Sequence, residues 1–316
     1  MSRTSTLPKR LQPMLATLTD APFDDPGWVF EDKYDGFRMI AEIKNGNVAL
    51  YSRNGKIMSR SYIEVAKALE RVEADAVIDG ELVAIGKDMV SHFQLLQNAL
   101  RRHETKLLYC AFDLTFENGE DLRKRPLLER KKRLKAILPR DKLIAFSRHR
   151  AANGNKFFAE AERKGLEGIM AKRIDSPYAS GNRTADWLKI KTAKRQEVVI
   201  AGFTSPRRTR PFFGALVLAV REDDTWRYIG HVGTGFSHQT LEELHGKLVK
   251  LKVAKSPFPG KVKDEVVTTW VRPSLVAEVK FAEWTSKGEL RQPVYLGLRT
   301  DKRAKDVVRE RERSRK

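Results

Sequence analysis

The chain has 316 residues, with 61 Lys and Arg against 41 Asp and Glu, which gives a formal net charge of +20 at pH 7. Its 41% of hydrophobic residues excludes a wholly disordered chain, and its apolar runs are too short to span a bilayer. The single cysteine, Cys110, excludes an internal disulfide or a cysteine-based zinc site and favours a reducing, cytoplasmic compartment. Because so large a cationic excess attracts polyanions, nucleic acid is the favoured partner, ahead of an acidic lipid surface.

The first part of the sequence alternates strand-like and helical segments. Residues 37–44 and 48–53 flank Asn45-Gly46-Asn47, a pattern that predicts a β-hairpin with a tight turn. Apolar, β-rich runs predict further strands at 76–85, 107–116, 168–172 and 187–191, and helical periodicity predicts helices at 93–102, 126–138 and 157–164. We therefore expect an α+β domain of antiparallel sheets flanked by helices.

The pattern changes near residues 192–196. Strands are predicted at 198–203, 215–220, 226–232, 275–284 and 294–298, with one helix at 240–252 that begins with a capping box of Thr240 and Glu243. Five strands with one inserted helix are typical of an OB-fold β-barrel, although another small barrel of equal strand count has the same pattern. The predicted domains are 1–194, an OB-fold domain over 195–302, and a basic, frayed tail over 303–316.

The common nucleotide and metal motifs are missing from the sequence. Gly55-Lys56 lacks both the upstream glycine and the following Ser or Thr of a phosphate-binding loop. The glycines at 230, 233 and 235 do not have the dinucleotide-binding spacing, and the six histidines include no H-E-x-x-H pair. A nucleotide would have to be bound by another route.

Lys33, in the segment Lys33-Tyr34-Asp35-Gly36, is the candidate for that route. It follows the apolar run 28–30 and precedes a glycine turn, which can hold its amine at the mouth of a pocket. A lysine amine attacks phosphorus only after losing its proton, and neighbouring cations promote that loss. By itself the pattern fits an ordinary surface hairpin better, so the interpretation depends on the residues around it.

Two carboxylates and two lysines supply that context. Glu81 lies within the predicted strand 76–85, where an unpaired carboxylate is costly, and Glu167 leads into another predicted strand. Such a pair suits Mg²⁺, which takes only one or two protein oxygens. Lys189 and Lys191 are two residues apart, so their side chains share one face of a strand. Two ammonium groups so close together require an anion between them, and a triphosphate is one.

Seven segments, taken in chain order, resemble the motifs of the covalent nucleotidyltransferases, specifically of the ATP-dependent DNA ligases. Among these, they resemble the ligase module of bacterial DNA ligase D. The segments are Lys33 to Arg38, Ser52 to Gly55, Asp79 to Glu81, Phe112-Asp113, Glu167 to Met170, Trp187 to Lys191 and Arg291 to Lys302. They extend over nearly the whole chain, and their shared order is far more specific than any one motif. The resemblance implies an adenylation (nucleotidyltransferase) domain followed by an OB-fold domain.

The resemblance also implies a role for each matching residue, with Lys33 as the nucleophile that forms lysyl-AMP. The implied ATP or AMP contacts are Glu31 at the adenine edge, Phe112 and Met170 on the two faces of the base, Asp35 and Glu81 near the ribose and metal, Arg38 beside the nucleotide, and Lys189 and Lys191 at the α-phosphate. Glu81 and Glu167 would bind Mg²⁺ or Mn²⁺. The remaining implied contacts are Arg38 and Arg53 with the 5′-phosphate of the broken strand, Arg299, Asp301 and Lys302 with the leaving pyrophosphate, and Arg207, Arg208 and Arg210 with the DNA backbone.

The implied activity is ATP-dependent sealing of 3′-hydroxyl and 5′-phosphate ends in nicked double-stranded DNA, during repair or double-strand-break end joining. The implied setting is a cytoplasmic, nucleoid-associated monomer that has no membrane partner and works with Ku and a repair polymerase, with residues 193–196 as a hinge. An RNA ligase or a capping-type nucleotidyltransferase would use the same chemistry, and a non-catalytic OB-fold nucleic-acid-binding protein would share the charge. A stand-alone enzyme and a module of a longer protein both fit this length.

Overall fold

The computed structural model describes residues 6–19, 21–99, 105–206 and 210–310, except for the side chains of residues 94, 97 and 98. These residues form two compact units, 6–192 and 193–310. No helix within the described ranges is both long and apolar enough to span a membrane.

The strands and helices of the first unit alternate along the chain. Its strands are β1 (Leu15–Leu18), β2 (Asp24–Asp32), β3 (Phe37–Lys44), β4 (Asn47–Ser52), β5 (Ala76–Ile85), β6 (Lys106–Glu117), β7 (Glu120–Asp121), β8 (Ile144–Phe146), β9 (His149–Asn153), β10 (Gly168–Arg173) and β11 (Arg183–Lys191). Its helices are α1 (Ile63–Leu69), α2 (Phe93–Ala99), α3 (Leu127–Ile137) and α4 (Gly154–Arg163). The predicted hairpin corresponds to β3 and β4, and β5 has its predicted bounds.

The strands of the first unit form two sheets. One has the order β1-β11-β10-β2-β9, and the other has the order β4-β3-β5-β6-β7 with β8 beside β6. Most neighbours are antiparallel, as predicted, but β1 pairs with β11 and β8 with β6 in parallel. These two parallel pairs are exceptions within the predicted antiparallel sheets. Both involve strands of three or four residues, which are too short to show a period in the sequence.

The two sheets pack against each other through an apolar cluster that contains Val29 and Trp187 from the first sheet and Ile40 and Phe116 from the second. On its other face the first sheet is covered by α4, whose Phe157 belongs to a second cluster. Helices α1, α2 and α3 bury apolar residues against the outer face of the second sheet. Because both faces of both sheets are covered, the strands are apolar on both faces, and charged side chains between the sheets need specific partners.

The second unit is built around one curved sheet and one long helix. Its elements are β12 (Arg195–Thr204), β13 (Leu216–Glu222), β14 (Thr225–Val232), α5 (His238–Val249), β15 (Thr268–Trp270), β16 (Val276–Lys280) and β17 (Val294–Leu298). The strand order is β14-β13-β12-β16-β17, with β15 paired to β12. A parallel bridge between Thr234, just after β14, and Val294 of β17 joins the two ends of the sheet. This partly open barrel is the arrangement expected of an OB fold.

Two predictions for the second unit are corrected by the structure. Helix α5 begins at His238 with Ser237 as its N-cap, whose Oγ accepts the Thr240 N–H, so the capping box of Thr240 and Glu243 is wrong. Residues 303–310 are not a frayed tail. Val307 is buried in the core of the second unit, and the Glu310 N–H donates to the side chain of Gln196. The rest of the predicted tail, 311–316, lies outside the described residues.

Candidate active site

Three antiparallel strands of the first sheet bring four of the eight predicted nucleotide contacts to one face. Met170 of β10 lies opposite Glu31 of β2 on one side and opposite Lys189 of β11 on the other. Directly opposite residues in a ladder share a face, so these three side chains form a row. The next row has Gly168 in the middle, with Lys191 opposite it and the Lys33 N–H donating to the Gly168 carbonyl at 3.0 Å. The sheet therefore places Lys33 and both lysines of β11 on the same face.

Gly168 permits this close approach of Lys33 and β11. A Cβ at this position would lie 2.1 Å from the Ile190 carbonyl oxygen, so only glycine fits without displacing the backbone. Gly36 has the same function on the other side of Lys33, because its Cβ would lie 2.2 Å from the Leu82 carbonyl oxygen of β5. The loop that carries the lysine is consequently pressed between the two sheets.

The Lys33 ammonium is held by Glu167. Its Nζ lies 2.5 Å from Glu167 Oε1, and the side chains of Lys33 and Glu167 are 18% and 5% exposed. The loop is also attached to the chain that follows β5, since the Asp35 N–H donates to Ser91 Oγ at 3.1 Å. Lys33 is thus accessible enough to meet a ligand but fixed in direction by a nearly buried carboxylate.

Glu31 is buried in a compact group of charges beneath this face. Its carboxylate lies 2.8 Å from Lys131 Nζ and 3.0 Å from Lys172 Nζ, and it accepts a hydrogen bond from Ser147 Oγ at 2.8 Å. Burial raises the pKa of Glu31, but the attraction of Lys131 and Lys172 outweighs it and lowers the pKa to about 2. Burial lowers the pKa of Lys172 to about 8 in spite of the attraction of Glu31.

Arg38 lies between the two sheets and is bound to Asp79. Its Nε and Nη2 each lie 2.5 Å from a carboxylate oxygen of Asp79, which also accepts the Tyr178 hydroxyl at 2.5 Å. Burial lowers the pKa of Arg38, but the adjacent Asp79 carboxylate raises it by more, so the guanidinium stays charged. Its side chain remains 19% exposed. The Asp79 pair therefore orients the guanidinium, as a bidentate carboxylate does.

Phe112 lies close to two cations and one indole. The register of β5 and β6 places Asp79 opposite Asp113 and Gly80 opposite Ala111, so Phe112 is the extra residue of a β-bulge. Lys172 Nζ lies 4.4 Å and Arg38 Cζ 4.7 Å from the centre of its ring, and the Trp187 ring packs edge-on at 6.1 Å. The ring is 7% exposed and forms part of the core between the sheets. The core packing expected of an aromatic in an apolar strand is therefore present.

The other two predicted residues of the first unit, Glu81 and Arg53, are half-buried. Glu81 lies opposite Arg38 on one side and opposite Cys110 on the other. Arg53 lies in the turn that follows β4. No group of three or more metal-ligating side chains is found within the described residues, so any metal would depend on one or two carboxylates and on ligand oxygens.

The predicted pyrophosphate contacts lie in the second unit, where the side chains of Arg299 and Asp301 bind each other and Lys302 binds Glu197. Arg299 forms a fork with Asp301, with Nε and Nη2 at 2.9 and 2.8 Å from its two oxygens, and its Nη1 lies 3.4 Å from Glu278. Lys302 Nζ lies 2.7 Å from Glu197 Oε1. Arg210 donates to the Gly233 carbonyl at 2.6 Å and lies over the Phe236 ring. Arg207 and Arg208 lie outside the described residues.

Sequence reasoning missed the partners that hold these residues in place. The missed residues are Lys131, Ser147 and Lys172 around Glu31, Asp79 and Tyr178 around Arg38, and Glu197 and Glu278 around Lys302 and Arg299. The sequence carries a signal for two of them: Asp79 lies in the matching segment Asp79 to Glu81, and Lys172 follows Met170 at a spacing of two and so lies on its face of β10. The other partners are brought in by strand pairing across long stretches of sequence.

Comparison with known proteins gives two family matches. Residues 13–191, over half of the chain, match the family described as ATP dependent DNA ligase domain. Residues 209–302 match the ATP dependent DNA ligase C terminal region. The two matches lie in the two compact units.

Among the curated relatives, the multifunctional non-homologous end joining protein LigD of Pseudomonas aeruginosa is 38% identical over 316 residues, which cover 96% of this chain and 37% of that protein. The protein of that name from Mycobacterium bovis is 37% identical and is matched over 40% of its length. The chain thus spans about two fifths of the length of these two relatives.

Among solved structures, a mycobacterial DNA ligase D complexed with ATP and MES is 35% identical, with a TM-score of 0.71 over 95% of this chain and 98% of that one. The ligase domain of M. tuberculosis LigD is also 35% identical, with a TM-score of 0.54 and the same coverage. The family matches and these structures agree with the family that the motif order indicates. The chain belongs to the ATP-dependent DNA ligase family.

Proposed function

We propose that this chain seals nicks in double-stranded DNA with ATP, through an AMP group carried on Lys33. The observation that carries the proposal is the position of Lys33, which is held at 2.5 Å by Glu167 on the sheet face that also presents Lys189 and Lys191. A nucleophile beside two further cations is the arrangement that a triphosphate requires. A protein that only binds nucleic acid has no use for it.

The reaction has three phosphoryl-group transfers, the first two at the α-phosphorus of ATP and the third at the 5′-phosphorus of the nick. Lys33 Nζ, after losing a proton, attacks the α-phosphorus of ATP; the N–P bond forms, and the bond to the β-phosphate oxygen breaks and releases pyrophosphate. The 5′-phosphate of the nick then attacks the AMP phosphorus and frees Lys33. Finally the 3′-hydroxyl attacks the 5′-phosphorus, which joins the strand and releases AMP.

The proposed nucleotide contacts are those that the family resemblance implies, and the rows of the first sheet support them for Glu31, Met170, Lys189 and Lys191. Glu31 and Met170 would lie at the adenine edge and face, with Phe112 on the opposite face of the base. Lys189 and Lys191 would hold the α-phosphate, and Asp35 and Glu81 would lie near the ribose. In the second unit, Arg299, Asp301 and Lys302 would orient the pyrophosphate, which requires that unit to close over the nucleotide about residues 193–196.

A divalent cation fits the carboxylates of the first unit. Glu167 already binds one cation, the Lys33 ammonium, through a side chain that is 5% exposed, and Glu81 is half-buried in the same unit. Mg²⁺ or Mn²⁺ held by Glu167 and Glu81 would neutralise charge on the phosphates of ATP. Glu167 positions the Lys33 ammonium, and their ion pair breaks when the amine loses its proton.

DNA binding in this proposal depends on charge rather than on base recognition. Arg38 and Arg53 would grip the 5′-phosphate, and Arg210, with Arg207 and Arg208, would contact the backbone of the duplex. Because the chain has a net charge of +20, binding of a nicked duplex is expected to weaken steeply with added salt, whereas self-adenylation should change little.

The names of the two LigD relatives extend the proposal to a pathway. They are described as non-homologous end joining proteins, and this chain matches about two fifths of their length. We therefore propose a role in end joining in the cytoplasm, close to the nucleoid, as a monomer with Ku and a repair polymerase as partners.

The test is sealing of a nick by the purified chain. A labelled duplex with one nick is incubated with ATP and Mg²⁺, in parallel with a nicked RNA duplex and with GTP in place of ATP. The proposal predicts sealing of DNA with ATP. Preference for RNA would favour an RNA ligase, labelling by GTP alone would favour a capping enzyme, and tight nick binding without nucleotide-dependent sealing would favour a binding protein.

A further inference from the structure

Two carboxylates lie opposite each other in the middle of the second unit. Glu197 of β12 and Glu278 of β16 are directly paired in the antiparallel ladder. Like charges in such a position destabilise a sheet unless cations lie between them. Their side chains are 22% and 5% exposed, so water screens them poorly.

The cations that neutralise them are those proposed to orient pyrophosphate. Lys302 Nζ lies 2.7 Å from Glu197, and Arg299 Nη1 lies 3.4 Å from Glu278 while its other nitrogens bind Asp301. Burial raises the pKa of Glu197, but Lys302 and Arg299 outweigh it and lower the pKa to about 2. The contacts with Lys302 and Arg299 therefore strongly favour the charged form of Glu197.

These contacts also cover the cations. The side chains of Arg299 and Lys302 are only 12% and 13% exposed, and three carboxylates, Glu197, Glu278 and Asp301, surround them. A phosphate oxygen that binds either cation has to compete with a carboxylate already at hydrogen-bond distance. The local sum of three negative and two positive charges opposes the approach of a further anion.

We propose that Glu197 and Glu278 are positioning residues that act as internal anions, holding Lys302 and Arg299 until the triphosphate or pyrophosphate replaces them. The inference rests on the proposed function, since it names the competitor of the pyrophosphate at the same residues. When no nucleotide is bound, the two carboxylates keep Lys302 and Arg299 from being buried without partners. Its consequence is that the carboxylates weaken binding of polyphosphate.

The test uses the isosteric variant Glu197→Gln in the full chain. It removes the negative charge that holds Lys302, so the KM for ATP in self-adenylation should fall roughly threefold to tenfold while kcat changes less than twofold. Inorganic pyrophosphate should bind more tightly by a similar factor in titration calorimetry, which requires no activity. Sealing of a nick that already carries AMP should be unchanged, because that step involves no pyrophosphate.

The control is Glu222→Gln, which removes one negative charge from the same unit at a residue paired with Arg227. It should leave the KM for ATP and the affinity for pyrophosphate unchanged. An equal or higher KM and an equal or weaker pyrophosphate affinity in Glu197→Gln would overturn the proposal. If Glu197→Gln does not fold, Glu278→Gln is measured in its place, with the same two outcomes. Failure of the wild type to form an adduct would refute the proposed function, whereas the pyrophosphate titration decides this inference separately.

Discussion

Lys33 Nζ and Glu167 Oε1 lie 2.5 Å apart. The amine proposed to carry AMP is therefore paired with the carboxylate of the residue directly before β10. Glu167 precedes Gly168, whose carbonyl accepts the Lys33 N–H. The same short segment therefore fixes both the backbone and the ammonium group of the lysine. In the proposed function, deprotonation of Lys33 would break this pair and free Glu167 to bind a metal ion, so that activation of the nucleophile and metal binding would be linked.

The variant Lys33→Arg separates charge from nucleophilicity. Arginine can keep the ion pair with Glu167 but cannot lose its proton in a protein. We expect ATP binding to persist and transfer of AMP to the protein to fall at least about a thousandfold. The measurement is incorporation of label from α-labelled ATP. Lys44→Arg, at an exposed lysine that ends β3, is the matched control and should label like the wild type; normal labelling of Lys33→Arg would assign the attack to another residue.

The variant Glu167→Gln keeps the size of the side chain and removes its charge. We expect self-adenylation to fall about 100-fold to 1,000-fold, because both the orientation of Lys33 and the proposed metal ligand are lost. Rates are measured over a range of Mg²⁺ and Mn²⁺ concentrations. Glu162→Gln, at an exposed residue of α4, controls for the loss of one charge. A Glu167→Gln rate within twofold of the wild type would remove Glu167 from the reaction.

The buried Glu31 predicts a pH-dependent contribution to stability. Because its pKa falls from 4.5 to about 2 on folding, the charged form stabilises the native state above pH 4.5, and this stabilisation is lost as the pH falls towards 2. We expect Glu31→Gln to lower the free energy of unfolding by about 3 kcal/mol at pH 7.

The measurement for Glu31 is urea unfolding of wild type and variant at pH 7 and at pH 3. The difference in the free energy of unfolding between wild type and Glu31→Gln should be smaller at pH 3, where wild-type Glu31 begins to be protonated. Glu64→Gln changes a side chain that is 73% exposed and should show no such difference. A difference in the free energy of unfolding that stays constant or grows between pH 7 and pH 3 would contradict the assignment of Glu31 as a charged partner of Lys131 and Lys172.

Arg53 tests the proposed grip on the broken strand. We expect Arg53→Ala to form the AMP adduct within twofold of the wild-type rate and to seal nicks about tenfold to 100-fold more slowly, because a charge-assisted phosphate contact is lost. The two steps are assayed separately, first with labelled ATP and then by adding nicked DNA to the adenylated protein. Arg60→Ala, at an exposed arginine of the same turn region, should leave both steps intact. Slow adduct formation in Arg53→Ala would instead place Arg53 at the nucleotide.

The elements that sequence reasoning predicted well have local signals. Asn45-Gly46 determines the turn between β3 and β4, and the apolar run 76–85 has the bounds of β5. Helix α5 was predicted, but its start was placed at Thr240, because Thr240-x-x-Glu243 resembles a cap as closely as the true N-cap Ser237 does. Short strands such as β1 and β15 have no pattern of their own and form only because a neighbouring strand is present.

In the candidate site, too, residues in short local motifs are predictable, whereas residues that contact each other across distant strands are not. The motif order identifies Lys33, Glu167 and the two lysines of β11, since each motif is a short continuous segment. The ionic partners of Glu31 and Arg38 are different, because Lys172 is 141 residues away from Glu31 and Asp79 is 41 residues away from Arg38. Pairings at such separations depend on the register of strands, and a single sequence contains no measure of that register.

The most direct test of the account is mass spectrometry of the purified chain after incubation with ATP and Mg²⁺. The account predicts a mass gain of one AMP group per chain, mapped by fragmentation to Lys33, which pyrophosphate or nicked DNA removes. Nick sealing by a chain that gains no AMP, or that carries it on a residue other than Lys33, would contradict the central claim.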